Sequence, residues 1–217
     1  MKQIGLGLIQ YSQDYDELMV RDWYGLNGFQ ASDPATNKYK WMDAVFPYVK
    51  SEQIFTCPSD TRTNLYRNYR NLTAPSAAYG SYRINNAYGN AAGNSPTQPP
   101  CSNGGGTQFG PLRDQNLSTL AAPSSTVWVL DSADAQSPGG EGAWIFWPVG
   151  TTPTYDALAT PRTFGGTGDQ GKVIERHLET TVVLYTDSHA KSQKLSSLIT
   201  PGTGGVFQYF TVADDPN

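Results

Sequence analysis

The N-terminal twenty residues, MKQIGLGLIQYSQDYDELMV, carry the pattern that most restricts the fold of this chain. Apolar and aromatic side chains recur there at alternating steps of three and four residues, which is the period of one helix face. This stripe consists of Ile4, Leu8, Tyr11, Tyr15 and Leu18. The pattern predicts a helix over residues 1–18, and the simplest interpretation is that its stripe packs on the protein's own sheet.

Two features of this helix are not explained by the packing of one face on the protein's own sheet. Leu6 and Ile9 lie off the stripe, and a helix that is apolar on more than one side needs partners on both sides. No Ser, Thr, Asp or Asn precedes the stripe as an N-cap, although helices usually begin with one. We therefore expect the second half of a longer helix. Gly5 and Gly7 indicate either close helix packing or a segment that melts during assembly.

Charge and composition argue against several classes of partner. The net charge of −4 and the pI near 5.1 do not suit a nucleic-acid-binding surface, which is normally basic. Charged residues make up only 16% of the chain, and abundant Gly, Pro, Asn, Ser, Thr and Tyr are typical of a loop-rich extracytoplasmic protein. No apolar run reaches the length of about 18 residues that crosses a bilayer. An extracellular or periplasmic location would therefore depend on a segment upstream of residue 1.

The rest of the pattern predicts an α+β fold in one domain over residues 1–217. The helix of residues 1–20 is followed by a helix and long loops in region 21–110, then by an antiparallel sheet in region 111–217. The second helix is predicted over 41–50 and is bent or shortened by Pro47, and a helical turn is predicted over 117–122. The predicted strands are 79–84, 126–130, 143–149 (an edge strand, because of Pro148), 180–186, 190–195 and 206–212.

The chain contains two cysteines, Cys57 and Cys101, each next to a proline. In an oxidising compartment they could form a disulfide, and the alternative is two unrelated thiols. A zinc site is not expected, because neither cysteine has a second ligand at a metal-binding spacing and the chain has only two histidines.

Five short segments follow one another in a fixed order between residues 3 and 191. They are QIGLGLIQYSQDYDE at 3–17, FTCPSD at 55–60, SYRINNAYG at 81–89, LAAPSSTVWVLDS at 120–132, and Arg176-His177 followed after nine residues by Asp187, Ser188, His189 and Lys191. Together they resemble bacterial type IV pilin-like proteins, in particular pseudopilin-like proteins with a prepilin cleavage and methylation signal. The last segment is similar to that group's His-x9-Asp-Gly motif. Ser188 stands in place of its glycine, which a turn with positive φ would favour.

The resemblance implies a pilin-like fold and a structural role without catalytic machinery. The protein would be a subunit of a type IV pilus or a type II secretion pseudopilus that assembles with copies of itself through the N-terminal helix. Before assembly, roughly 20 to 25 apolar residues upstream of residue 1 would anchor it in a membrane. The family-motif positions are Cys57, Pro58, Asp60, His177 and Asp187.

Calcium is the one cofactor that the resemblance implies. Related major pseudopilins bind it in a C-terminal loop, which implies Asp187, Asp214 and Asp215 as ligands, with Asp131 and Asp134 behind them. Carboxylate and carbonyl oxygens suit this ion. None of these residues has the regular spacing of an EF-hand loop, so solvated turn aspartates are the alternative.

No catalytic residue is assigned from the sequence. His177 and Asp187 lie ten positions apart, at opposite ends of a predicted strand about 30 Å long, so we expect them to close a loop and start a turn separately. One alternative function is an extracellular carbohydrate- or surface-binding module. A hydrolase is another, although the close spacing of Asp14/Asp16 and of Asp131/Asp134 is a poor match to a glycosidase pair. The carbohydrate alternative would use the stacking surfaces of Trp128, Trp144 and Trp147.

Overall fold

The computed structural model of the protein describes residues 1–24, 39–61, 80–88, 114–132, 144–145, 154–159, 161–165, 173–199, 201 and 206–213. The α-helices in these ranges are α1 (Lys2–Asp14), α2 (Trp41–Val49) and α3 (Leu195–Leu198). The strands are β1 (Trp23–Tyr24), β2 (Tyr39–Lys40), β3 (Tyr82–Asn85), β4 (Val127–Asp131), β5 (Trp144–Ile145), β6 (Thr154–Asp156), β7 (Thr163–Gly165), β8 (Val173–Ile174), β9 (Thr181–Tyr185) and β10 (Ala190–Gln193). Short 3-10 helices occur at Gln53–Phe55, Leu117–Thr119 and Gln208–Phe210.

The main sheet has the strand order β10-β9-β4-β3-β5. Its neighbouring strands are antiparallel except for β5, which runs parallel to β3 at the edge. Two smaller antiparallel sheets are formed by β1 with β2 and by β6, β7 and β8. The α+β class is therefore confirmed at the level of helices combined with antiparallel sheets. The parallel β5 departs from the wholly antiparallel sheet that was predicted.

The main sheet is covered on both faces. Helices α1 and α2 pack on one face, where Trp128 and Val129 of β4 lie in the same core as Ile4 and Trp41. The other face holds a second core, in which Leu130 contacts residues of β7, β8 and the C-terminal segment. Burial on both faces explains why β4 and β9 read as continuous apolar runs rather than as alternating strands.

Helix α1 begins without a side-chain cap, and its glycines mark close contacts. A Cβ atom at Gly5 would lie 2.8 Å from Leu184 Cδ1, and one at Gly7 would lie 2.6 Å from Val49 Cγ1. Of the two explanations offered for these glycines, close packing is therefore the one that the structure supports. The helix fits between α2 and the end of β9.

Helix α1 ends four residues earlier than predicted. It stops at Asp14, and Asp16 and Glu17 then adopt positive φ angles of 52° and 61°. Tyr15 and Leu18 consequently lie beyond the helix. Among the described residues, no helix has both the length and the apolar character needed to span a membrane.

Most predicted elements appear in the described ranges with shifted ends. The predictions over 41–50, 126–130, 180–186 and 190–195 correspond to α2, β4, β9 and β10. The strand predicted over 206–212 is wrong, because this segment contains the 3-10 helix Gln208–Phe210 with Phe210 buried. A short apolar run does not distinguish a strand from a buried turn of helix. In addition, β3 joins the main sheet from region 21–110, so the sheet is not confined to 111–217.

Candidate functional site

The Cys-Pro-Ser-Asp segment forms a tight turn directly after the 3-10 helix Gln53–Phe55. The Asp60 amide donates to the Cys57 carbonyl oxygen at 2.9 Å. The Cys57 amide donates to Ser81 Oγ at 2.8 Å, and the Ser81 amide donates to the Phe55 carbonyl at 2.9 Å. These bonds fix the turn against the start of β3. The thiol of Cys57 is buried and free.

Three strand ends meet beside this turn. Tyr82 begins β3 and pairs with Asp131, the last residue of β4. Because β9 is antiparallel to β4, its first residues lie at the same edge, and the Val182 amide donates to Asp131 Oδ2 at 2.9 Å. Arg176 and His177 immediately precede β9. The topology thus brings the Cys-Pro-Ser-Asp segment and the Arg-His segment to one edge of the sheet.

Cys57, Asp131 and His177 form what we call the Cys–His–Asp cluster. His177 Nε2 lies 3.4 Å from Cys57 Sγ and 3.6 Å from Asp131 Oδ2. The three potential ligand atoms all lie within 4.8 Å of one another. Cys57 and Asp131 are buried, whereas the His177 side chain is 32% exposed. The cluster therefore lies at the boundary between the core and solvent.

Arg176 connects the cluster to the Cys-Pro-Ser-Asp turn. Its Nη1 lies 3.1 Å from Asp131 Oδ1, and its Nη2 lies 3.2 Å from Asp60 Oδ2. The same Nη2 donates to the Ser132 carbonyl at 2.5 Å. The guanidinium is nearly buried, so these are charge-assisted bonds away from bulk water. Arg176 thereby joins a loop to the end of β4.

Burial dominates the electrostatics of this edge. It raises the pKa of Asp131, while the Val182 hydrogen bond and the Arg176 charge act in the opposite direction. Burial also raises the pKa of Tyr82, and the negative charge and hydrogen bond of Cys57 add to that effect. At the amino group of Met1 burial lowers the pKa, whereas the charges of Asp131 and Cys57 raise it. Burial therefore disfavours the charged forms of Asp131, of Tyr82 and of the Met1 amino group alike.

The arrangement does not match a nucleophilic triad. In a Cys–His–Asp triad the thiol and the carboxylate contact different ring nitrogens, so that a proton can pass through the imidazole. Here Sγ and Oδ2 both face Nε2. The geometry therefore gives no support to the hydrolase alternative, and it favours a site where three donor atoms converge on one point.

Asp187, the last of the motif positions, lies away from the cluster. Asp187 begins the turn between β9 and β10, and its Oδ1 accepts from the His189 amide at 3.0 Å. It also contacts His189 Nδ1 at 2.6 Å. Asp187 thus starts a turn as predicted, with β9 between it and His177. Ser188 adopts φ 70°, which is the conformation that explains a glycine in the family motif. Pro58 is exposed in its turn.

Several predicted site residues lie outside the described ranges. They are Cys101, Asp134, Trp147, Asp214 and Asp215, and of Trp144 only the backbone is described. The calcium site at Asp187, Asp214 and Asp215 therefore stays a prediction, whereas Cys57 is a free cysteine, so its predicted disulfide with Cys101 is not formed in this structure.

The predicted assembly stripe is largely buried inside the protein. Ile4, Leu8 and Tyr11 belong to the core, so they are not a surface that a second copy could contact. Tyr15 is exposed, and Leu18 is partly buried in a bridge to residue 116. The stripe prediction must be corrected in this respect. The face of α1 that remains open carries Leu6, which is 57% exposed.

An open groove of about 410 Å³ lies between α1 and α2 beside Leu6. It is lined by Leu6, Gln10, Tyr48 and Ile54 among others. By contrast, Trp128 is completely buried and cannot serve as a stacking platform for a sugar. The part of the carbohydrate-binding alternative that depends on Trp128 is therefore wrong.

The sequence analysis missed the contact between Cys57 and His177. These residues are 120 positions apart, whereas metal-binding patterns are recognised from ligands that are close in sequence. The available signal was that both residues belong to motif segments containing a charged neighbour, Asp60 in one and Arg176 in the other.

Comparison with known proteins adds no assignment. A scan against family models finds no match, and searches of curated proteins and of solved structures also find none. The functional argument therefore depends on the residues and their geometry.

Proposed function

We propose that this protein is a structural subunit of an extracellular or periplasmic pilin-like filament that assembles through α1. The observation that carries the proposal is the amphipathic packing of this helix. Its stripe holds α1 on the sheet, while Leu6 projects from the opposite side next to the groove between α1 and α2. Leu6, Val49 and Ile54 line this groove together, and contiguous apolar surface of this kind, unlike a single exposed leucine, indicates an interaction site.

The charges along α1 favour a staggered arrangement of copies. Lys2 is exposed at the N-terminal end, whereas Asp14, Asp16 and Glu17 are exposed at the other end. Parallel helices shifted along their axes would place the positive end of one copy beside the negative end of the next. Such head-to-tail contacts generate helical filaments when the rotation between copies does not close a ring.

The proposal includes the anchor and the secretion context that the resemblance implies. The subunit would be held in a membrane through a segment N-terminal to Met1 before assembly, and the polymer would be a type IV pilus or a secretion pseudopilus. The function would require no catalysis and no nucleic acid, and calcium would be its one candidate cofactor.

The test compares two leucine substitutions in the full-length gene product in its native cells. Leu6→Glu places a charge on the proposed interface, whereas Leu178→Glu changes a leucine that is 99% exposed in the turn before β9. We expect Leu6→Glu to abolish filaments in sheared surface fractions seen by electron microscopy. The Leu178→Glu variant should assemble as wild type does.

Thermal unfolding of both variants controls for loss of the fold, because both leucines are exposed and neither change should lower the Tm. Filaments that persist in a folded Leu6→Glu variant would overturn the role of this face. A wild-type protein that forms no polymer in its native cells would overturn the filament function itself.

A further inference from the structure

We propose that Cys57, Asp131 and His177 bind a zinc ion. A thiolate sulfur, a carboxylate oxygen and an imidazole nitrogen are the three donor types that zinc prefers in proteins. The three residues come from a turn, from the end of β4 and from the segment before β9, so the ion would join separate parts of the chain. This site goes beyond the proposed filament function, for which calcium is the one candidate cofactor.

Two of the three distances in the cluster match a tetrahedral zinc site. Zinc lies about 2.3 Å from sulfur and about 2.0–2.2 Å from nitrogen or oxygen, so tetrahedral ligands lie about 3.4–3.6 Å apart. His177 Nε2 lies 3.4 Å from Cys57 Sγ and 3.6 Å from Asp131 Oδ2, and the thiol and carboxylate atoms lie within 4.8 Å of each other. An ion that draws the thiol and the carboxylate together would contact all three atoms and leave a fourth position for water.

A metal would also explain why two partners face one nitrogen. A neutral imidazole nitrogen either donates one hydrogen bond or accepts one. Nε2 is within hydrogen-bond distance of Sγ only, so the approach of Oδ2 to 3.6 Å is not explained by a hydrogen bond. A zinc ion at the centre of the cluster would bond to all three atoms and account for their convergence.

Hydrogen bonds and an ion pair from neighbouring residues orient the side chains of the cluster, as the groups around the ligands do in known metal sites. Asp131 accepts from the Val182 amide through Oδ2 and pairs with Arg176 through Oδ1. The hydroxyl of Tyr82 is hydrogen-bonded to Cys57. Such second-layer bonds fix the direction of ligand lone pairs, and their loss typically weakens metal binding 10- to 100-fold.

Charge balance favours a divalent cation here. Two carboxylates, of Asp60 and Asp131, face the single guanidinium of Arg176, so one negative charge is not balanced within this group before the thiol loses its proton to a metal. Binding forms bonds from zinc to the three donor atoms and releases the thiol proton to solvent.

Zinc binding and the Cys57–Cys101 disulfide exclude each other, because a disulfide sulfur cannot act as a thiolate ligand. The protein isolated from its native compartment would therefore contain either the free thiol or the disulfide. Mass spectrometry after alkylation without reduction distinguishes these two states.

The experiment titrates the metal-free chain with Zn²⁺ under reducing conditions and measures stoichiometry by elemental analysis after dialysis. Wild type should bind one zinc per chain, and Cys57→Ser and His177→Gln should bind it at least about 100-fold more weakly. The matched controls are Cys101→Ser and His189→Gln, which change the chain's other cysteine and other histidine. Both controls should bind as wild type does.

Cobalt substitution supplies a readout that does not depend on comparing variants. Co²⁺ in the wild-type site should show a thiolate-to-cobalt charge-transfer band and the intense visible bands of tetrahedral coordination. Tyr82→Phe, which keeps all three ligands, should bind about 10-fold more weakly. Circular dichroism confirms that each variant is folded.

Three results would overturn the proposal: substoichiometric zinc in wild type, a cobalt spectrum without the thiolate band, or equal affinity in folded Cys57→Ser. A disulfide between Cys57 and Cys101 in the protein as isolated would overturn it as well. None of these results depends on whether the protein forms filaments.

Discussion

At the residue scale, several residues that carry large side chains adopt backbone conformations that are typical of glycine and asparagine. Leu178 and Glu179 have φ angles of 48° and 61°, and the flanking His177 and Thr180 exchange backbone hydrogen bonds of 2.9 and 3.0 Å. Positive φ at both central residues is the requirement of a type I′ turn. The turn that presents His177 is therefore built from unfavourable residues, and Ser188 repeats this situation at the far end of β9.

Replacing Ser188 with glycine should stabilise the protein. The φ of 70° at this position costs a side-chain-bearing residue about 1 kcal/mol that glycine does not incur. We expect Ser188→Gly to raise the free energy of unfolding by about 0.5–1 kcal/mol, as measured by urea denaturation.

The matched control is Ser192→Gly, which makes the same replacement within β10. Glycine in a strand interior is destabilising by about 0.5–1 kcal/mol, so the two variants should shift the unfolding midpoint in opposite directions. A loss of stability in Ser188→Gly would mean that contacts of the Ser188 side chain stabilise the fold by more than its positive φ destabilises it.

At the element scale, the packing of α1 decides which side chains its glycine positions tolerate. The helix contacts α2 on one side and the β9–β10 turn on another, and the contacts at Gly5 involve the backbone of Ser188 as well as side chains. A flexible side chain can move away from an added methyl group, but backbone atoms in a turn have little freedom. The position of α1 relative to the β9–β10 turn is thus fixed by close contact as well as by apolar burial.

Gly5→Ala should destabilise the protein although alanine favours helix formation. Helix propensity alone predicts a gain of about 1 kcal/mol. The new Cβ would lie 2.8 Å from Leu184 Cδ1 and 3.2 Å from Ser188 Cα, and overpacking of this kind costs about 1–3 kcal/mol. We expect a net loss of up to about 2 kcal/mol in urea denaturation.

The control for this substitution is Gln13→Ala on the exposed side of α1. Its effect should stay within about 0.5 kcal/mol, as for surface positions in general. A gain of stability in Gly5→Ala would show that α1 is free to move away from the β9–β10 turn, and would contradict the close packing described above.

At the scale of the whole molecule, elements with strong local patterns were predicted best. The helix of 41–50 and the strands of 126–130 and 180–186 have apolar periodicity or β-branched runs within a few residues, and all three appear in the structure. The end of α1 was misplaced, because Tyr15 and Leu18 continue the helical period while the backbone turns at Asp16 and Glu17. Periodicity indicates a face but does not locate where a helix stops.

The Cys–His–Asp cluster could not be predicted, because it depends on strand order and register. Asp131 reaches His177 only because β9 pairs with β4, and the sequence does not specify which strands become neighbours. A shift of one residue in the register of β4 would turn the side chain of Asp131 to the other face of the sheet. The resemblance named Cys57 and His177 as motif positions, but it gave no reason for them to be in contact.

Substitution of Arg176 tests whether the buried ion pairs beside the Cys–His–Asp cluster stabilise the fold. Arg176→Met removes the guanidinium from two carboxylates whose side chains are only 5% and 0% exposed, Asp60 and Asp131. Leaving buried charge without its counterion costs about 3–5 kcal/mol, and we expect a loss of that size in urea denaturation at pH 7 in the presence of a chelator. The matched control is Arg21→Met, which breaks a 2.7 Å pair with Asp114 that also joins distant segments but is 32% and 45% exposed. An exposed pair contributes less than about 1 kcal/mol. Equal, small losses in both variants would contradict a structural role for the buried network, and because the chelator removes any bound metal, the result would bear on Arg176 and not on zinc.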